Sequence, residues 1–136
     1  MDRLLEELIW RRAGGCCEYC RTPQEVEDLP AEIDHIIAEV HGGRLTASNL
    51  ALSCLHCNRH KEPNLSRIDP QTRLLSRLFH PRRHSWSYHF RWDGARLRGR
   101  TAIGRTTIRV LKINAPLRVV LREELIAAGL FSQPAR

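Results

Sequence analysis

An α+β fold is what this 136-residue sequence predicts, from three observations. Two CxxC pairs, Cys17–Cys20 and Cys54–Cys57, have the spacing of knuckles that staple a small core around one ion. Between and just after them the residues read strand, loop, strand, helix. An amphipathic stretch precedes this core, and a hairpin signal with helical patterns follows it. The expected architecture is a small cysteine-stapled strand–loop–strand–helix core with an N-terminal helix and a C-terminal hairpin plus helices.

Each element has its own local reason. Residues 2–13 predict a helix, because Leu4, Leu5, Leu8 and Ile9 recur at helical spacing and Gly14-Gly15 end the run. Trp10 is expected to widen its apolar face. Asp2, Glu6 and Glu7 near the start and Arg11 and Arg12 at the end suit the helix dipole. Cys16 to Cys20 predict a tight knuckle and Thr22 to Pro30 an acidic loop. Glu32 to Ile37, a β-branched run, predicts a strand, and Ala38 to Ser48, with Gly42-Gly43, a loop. Leu50 to Ser53 predict a second strand. Leu55 to Lys61 predict a short helix that Pro63 ends.

Beyond Pro63 the composition changes, and the chain divides into residues 1–62 and a basic extension, 63–136. Asp69-Pro70 predict the cap of a helix through Phe79, with Leu74, Leu75 and Leu78 on one face. His80 to Tyr88 predict a loop. Tyr88 to Trp92 and Ala95 to Arg98 predict a β-hairpin about Asp93-Gly94. Thr106 to Ile113 predict a helix. Asn114 reads as the N-cap of a last helix, with Pro116 in its first turn and Gly129 at its end.

The charge is divided unevenly. The whole sequence carries +7, but residues 1–60 balance at −4 and residues 61–136 at +11. Nearly all the cations are Arg, whose planar fork suits phosphate. A basic half beside an acidic, cysteine-rich half points to a polyanionic partner. No apolar run approaches the ~20 residues of a membrane span. The N-terminus lacks the basic start and apolar run of a signal peptide, so a cytoplasmic location is expected, where thiols stay reduced and available to metal.

Four thiolates from two CxxC turns complete a closed tetrahedral site, so Cys17, Cys20, Cys54 and Cys57 predict a structural zinc. Cys16 lacks the spacing to Cys20 and reads as an idle thiol. His56 and His60 are alternative ligands, and their place on a short helix beside a full cysteine set favours solvent. Thirty-three residues separate the two pairs, more than a zinc ribbon uses, and they include Asp34-His35. Phosphodiester hydrolysis needs a base, a cation at phosphorus and help for the leaving oxygen. His35 can be the base. Asp34 and Asn58 offer hard oxygen donors suited to Mg²⁺. Adjacent strand residues point to opposite faces, so Asp34 and His35 share a site only where the strand ends or bends. Asn49, at a loop-to-strand junction, can tie loop backbone in place.

The set Asp34-His35-Ile36-Ile37, Gly42-Gly43, Asn49-Leu50 and Cys54-x-x-Cys57-Asn58-x-x-Lys61 resembles the HNH endonuclease family of the four-cysteine, McrA-like type, over roughly residues 16–62. The resemblance implies a ββα-metal core. It implies that His35 is the general base, that Asn49 braces the loop and orients that base, and that Asn58 stands where many members have a third His. With Asp34, Asn58 would hold the catalytic ion, for which Mg²⁺ or Mn²⁺ is expected, since an amide oxygen suits softer metals less than imidazole does. His60 is the alternative ligand, but it lies about 200° further around the helix and does not match the motif position.

The expected partner is DNA, double-stranded. Arg44, Arg59, Lys61, Arg82 and Arg83 are the cations expected to meet it. From His80 to Arg100, Arg82, Arg83, Arg91, Arg96, Arg98 and Arg100 alternate with Trp86, Tyr88, Phe90 and Trp92, a composition common in nucleic-acid binding. Phe90 and Trp92 share one face of a strand and equally suit a core. His84 and His89 show no evident partner. Two functions compete on this page: a metal-dependent DNA endonuclease or nicking enzyme, and a non-catalytic zinc-containing nucleic-acid-binding module, which has no need of Asp34, His35, Asn49 and Asn58 together.

Overall fold

The structure, a computed structural model, describes residues 1–131. It is α+β, with helices and small antiparallel sheets, and the chain forms two compact units. One holds Met1–Leu65 and takes in His80–Arg83. The other holds Ser66–Phe79 and the chain from His84 onward. No helix among the described residues is long and apolar enough to cross a membrane.

The first unit begins with α1, Arg3–Arg12. Asp2 caps it, its side chain accepting from the Leu4 amide at 3.0 Å. Gly14 and Gly15, both in the left-handed region, turn the chain out of the helix. The apolar face is narrower than the periodicity suggests. Ile9 is fully buried and Leu5 packs beside it, whereas Leu4 and Trp10 stay exposed. The sheet against α1 is one antiparallel pair, β1 (Glu32–His35) and β2 (Leu50–Ser53), with Asp34 opposite Ala51 and His35 opposite Leu50. β1 therefore ends two residues before the expected Ile37. Ile9, Leu50 and Leu52 form the core, with Leu5, Ala13, Ala31 and Ile33 packed around it. Each fully buried aliphatic side chain there contributes about 1.5–3 kcal/mol. Arg12 fastens α1 to the sheet by donating to the carbonyls of Ala47, at 2.9 Å, and Leu50, at 2.5 Å.

α2, Leu55–Lys61, has the predicted bounds. Its N-cap is Cys54, whose sulfur accepts from the Cys57 amide at 3.4 Å. Glu62, at φ 50° before Pro63, ends it.

The second unit differs most from expectation. Residues 69–79 do not form a helix. A hairpin stands there, β3 (Ser66–Ile68) paired with β4 (Leu75–Arg77). The Asp69 carboxylate does accept from the Gln71 and Thr72 amides, at 3.3 and 3.1 Å, and from the Thr72 hydroxyl at 2.8 Å. Arg73 then takes φ 65°, and the Asp69 amide donates to Leu74 O at 2.8 Å, so the capped turn closes a hairpin. Leu74, Leu75 and Leu78, expected on one helix face, are divided: Leu74 and Leu75 are exposed and Leu78 is buried. Arg105 holds Asp69 with two bonds, of 3.1 and 2.9 Å, and lowers its carboxyl below the ordinary range.

One turn of helix, α3 (Trp86–His89), interrupts the expected loop. The hairpin about Gly94 is present as β5 (Phe90–Asp93) and β6 (Arg96–Gly99). Asp93 pairs with Arg96, so the two-residue loop is Gly94-Ala95, with Gly94 at φ 58°. Phe90 and Trp92 face inward, and Trp86 stacks on both at 5.1 and 5.8 Å, which makes these aromatics core; Tyr88 stays exposed. His89 bonds the Thr101 hydroxyl at 2.6 Å, a partner the sequence did not suggest.

α4, Ala102–Val110, starts earlier than predicted, capped by Thr101, and Gly104 lies inside it because a Cβ there would sit 2.1 Å from His89 O. α5 runs Pro116–Ala127. Asn114 does not cap it. Its amide instead pairs with both backbone groups of Leu97, at 2.9 and 2.8 Å, and accepts from the buried Arg122, which also donates to Ala95 O and Ile113 O.

Candidate functional site

Two sites are built in the first unit from the same short elements. The knuckle comes first. The Cys17 amide donates to Thr22 O and the Arg21 amide to Cys17 O, each at 2.9 Å, with Arg21 at φ 64°. This turn brings Cys17 and Cys20 to the N-terminus of α2, where Cys54 and Cys57 stand. All four residues are buried and their sulfurs lie within 4.8 Å of one another. The Cys20 and Cys54 sulfurs are 3.8 Å apart. Ligands about 2.3 Å from a tetrahedral zinc stand about 3.8 Å from one another, so the cluster could hold a zinc ion.

Charge favours the same reading. Hydrogen bonds from Cys17, then Cys54 and Cys57, hold the Cys20 thiol well below its ordinary value. The crowding, bonds to Cys17 first, pushes Cys54 and Cys57 up. Four thiolates this close together in a buried space need a cation among them. Cys16 is outside the set, half-buried with its sulfur 3.6 Å from Gly14 O. His56 and His60 are outside it too. Both are half-buried and not turned fully to solvent, their rings 4.3 Å apart and His60 Nδ1 2.7 Å from His56 O.

The second site is an open cleft of about 260 Å³ lined by Asp34, His35, Glu39, Asn58 and Glu62, among others. Asp34 and His35 both reach it because β1 ends at His35 and the chain bends there. His60 does not line it. His35 is partly exposed, but its Nε2 is shut off from solvent. That nitrogen lies 3.4 Å from Glu39 Oε1, near enough for an ion pair once the ring is protonated, without hydrogen-bond geometry. Asn49 holds the loop that follows. Its carbonyl accepts from the Ile37 amide at 2.9 Å, and its NH₂ donates to Ile37 O and Arg44 O, each at 3.0 Å. Gly43 lets the loop close on this brace, since a Cβ there would meet Ile37 O at 1.7 Å.

Asp34 is almost fully buried. Its Oδ2 accepts from the Tyr19 hydroxyl at 2.7 Å and lies 3.1 Å from Lys61 Nζ; Oδ1 accepts from Lys61 at 3.3 Å. Burial raises its pKa, and Lys61 and Tyr19 oppose the rise. Lys61 is 2% exposed and also donates to His35 O and Ile36 O, at 3.2 and 3.1 Å. The expectation that Lys61 meets phosphate is therefore corrected. As the last residue of α2 it reaches the end of β1 and holds the stretch that carries both Asp34 and His35. Lys61→Met orphans a buried carboxylate and is expected to cost about 3–5 kcal/mol of stability. Chemical denaturation of the single variants and of the Asp34→Asn/Lys61→Met double variant reads this, and the double variant should cost less than the sum.

Arg82 is corrected likewise. It is largely buried in an ion pair with Glu18, the second residue of the knuckle, whose other oxygen accepts from the Leu52 amide at 2.8 Å. This pair brings His80–Arg83 back to the first unit. Arg44, Arg59 and Arg83 are exposed. Tyr19, Glu18 and Glu39 are the site residues that sequence reasoning missed. The first two occupy the x-x of a CxxC pair, where spacing attracts attention only to the cysteines.

Residues 17–64 match the HNH endonuclease family model, a stretch that takes in all four clustered cysteines and Asp34, His35, Asn49 and Asn58. Domains of this family generally act on nucleic acids. Searches of curated proteins and of solved structures found no match.

Proposed function

We propose that this chain, whose residues 17–64 match the HNH endonuclease family model, is a metal-dependent DNA endonuclease or nicking enzyme. The observation that carries this reading is one cleft shared by Asp34, His35 and Asn58, with Asn49 holding the adjoining loop. The donor set fits a hard divalent ion. Among the described residues Asp34 Oδ1 accepts a single bond, from Lys61, and so keeps a lone pair for a cation; Asn58 lines the same cleft. Asp34 and Asn58 would hold Mg²⁺ or Mn²⁺, which supplies neutralisation of the charge that develops at phosphorus and on the leaving oxygen.

His35 acts as the general base. Its Nε2 faces Glu39 and excludes solvent, so water is met by the other ring nitrogen. The proton taken from that water leaves an imidazolium that the Glu39 carboxylate stabilises. Lys61, through His35 O, holds the strand end that carries the ring. Attack in line on a backbone phosphorus, with the 3′ oxygen leaving, gives 5′-phosphate and 3′-hydroxyl ends. A zinc ion held by Cys17, Cys20, Cys54 and Cys57 would be structural, since four thiolates would leave it no open position.

The test is conversion of supercoiled plasmid by zinc-loaded protein, with and without added Mg²⁺ or Mn²⁺. Nicked or linear product that depends on the added ion is the expected result. No product with any divalent ion would favour the second reading, a zinc-containing module that binds nucleic acid without cleaving it. One observation speaks for that alternative: both Asp34 oxygens already have protein partners.

A further inference from the structure

The second unit contains an open cleft of about 360 Å³ whose rim carries four arginines, Arg91, Arg98, Arg105 and Arg109. They come from three elements. Arg91 and Arg98 are direct partners across β5 and β6, and Arg105 and Arg109 stand one turn apart on α4. Like charges placed directly opposite on a sheet, or at i, i+4 on a helix, destabilise both elements. The fold relieves only half of each pair. Arg98 bonds Asp93 at 3.1 Å, and Arg105 is held by the buried Asp69. Arg91 and Arg109 are exposed, and among the described residues neither has a carboxylate within ion-pair distance.

We propose that this cleft is a docking site for the phosphodiester backbone of nucleic acid, with Arg91 and Arg109 as the phosphate-contacting residues. Paired guanidinium forks suit successive phosphates. The unit also carries the chain's positive charge: residues 66–79 and 84–136 hold thirteen Arg and Lys against four acids. The choice of nucleic acid over another polyanion rests on the HNH reading of residues 17–64. The cleft is lined by residues of the second unit, and Asp34 and His35 are not among them. The sequence placed Arg91 and Arg98 in an arginine- and aromatic-rich stretch suited to nucleic acid, but it did not show that they share a rim with two residues of a helix.

The test compares the Arg91→Gln/Arg109→Gln variant with Arg73→Gln/Arg77→Gln, which removes the same charge from exposed positions of the same unit outside the cleft. Both are made in a His35→Ala background without added divalent ion, so that binding is read apart from cleavage. The probe is a fluorescein-labelled 20-base-pair DNA duplex, titrated at several salt concentrations. For the cleft variant, the slope of log K against log salt should fall by about 1.8, and Kd should rise about tenfold or more. The control variant should keep the parent slope. Equal losses in the two variants, or none in the cleft variant, overturn the proposal. Competition by poly-glutamate as effective as that by unlabelled duplex would also overturn it, assigning the cleft to an acidic polypeptide.

Discussion

His35→Ala is expected to reduce plasmid nicking by about 10²–10⁴-fold, the usual contribution of a positioned general base. The ring is partly exposed, and its Nε2 makes no hydrogen bond, so little packing is lost with it. The groups that hold the strand end act through backbone: Lys61 on His35 O and Ile36 O, Asn49 on Ile37. They survive the change. Zinc content, melting temperature and duplex affinity should therefore match the parent, while the first-order rate of supercoiled loss collapses. A variant that still nicks at the parent rate would remove His35 from the mechanism and leave the cleft without a base.

Stripping the zinc is expected to unfold the first unit. Structural zinc contributes about 10–16 kcal/mol of apparent binding free energy at neutral pH, as much as or more than the ~5–15 kcal/mol by which a whole domain is stable. The core above the cysteines is small, three fully buried residues with a few partly buried neighbours. Without a cation the cluster also leaves four crowded thiols in a buried space. Cys57→Ser is expected to have the same effect. Hydrogen exchange reads it by region: protection should vanish across Leu50–Ser53 and Leu55–Lys61, while β5 and β6, whose core is Phe90, Trp92 and Leu97, keep theirs. A zinc-free protein that keeps its protection in β2 would show that packing alone holds the core.

Local signals account for what could be read beforehand. Leu50–Ser53 and Leu55–Lys61 match because a β-branched or apolar run, a CxxC turn and a following proline are all short-range devices. The same reasoning failed at Asp69. There a capping residue followed by leucines suits a helix or a hairpin turn equally, and the bidentate bond from Arg105, thirty-six residues away, accompanies the hairpin. Asn114 failed in the same way. It sits where a cap belongs, yet its amide completes the ladder beside Leu97.

The identities and spacing of Cys17, Cys20, Cys54 and Cys57, and the order of Asp34, His35, Asn49 and Asn58 between and beyond them, were determined by the sequence alone, because coordination and loop-bracing chemistry depend on residue type at short range. What Lys61, Tyr19, Glu18 and Arg82 do was decided only by the tertiary structure. A cation on a basic chain looks like a surface group until the fold buries it beside a carboxylate. Lys61 beneath Asp34 and Arg82 beside Glu18 are both such cases, because burying either group is favourable only where a partner distant in sequence meets it.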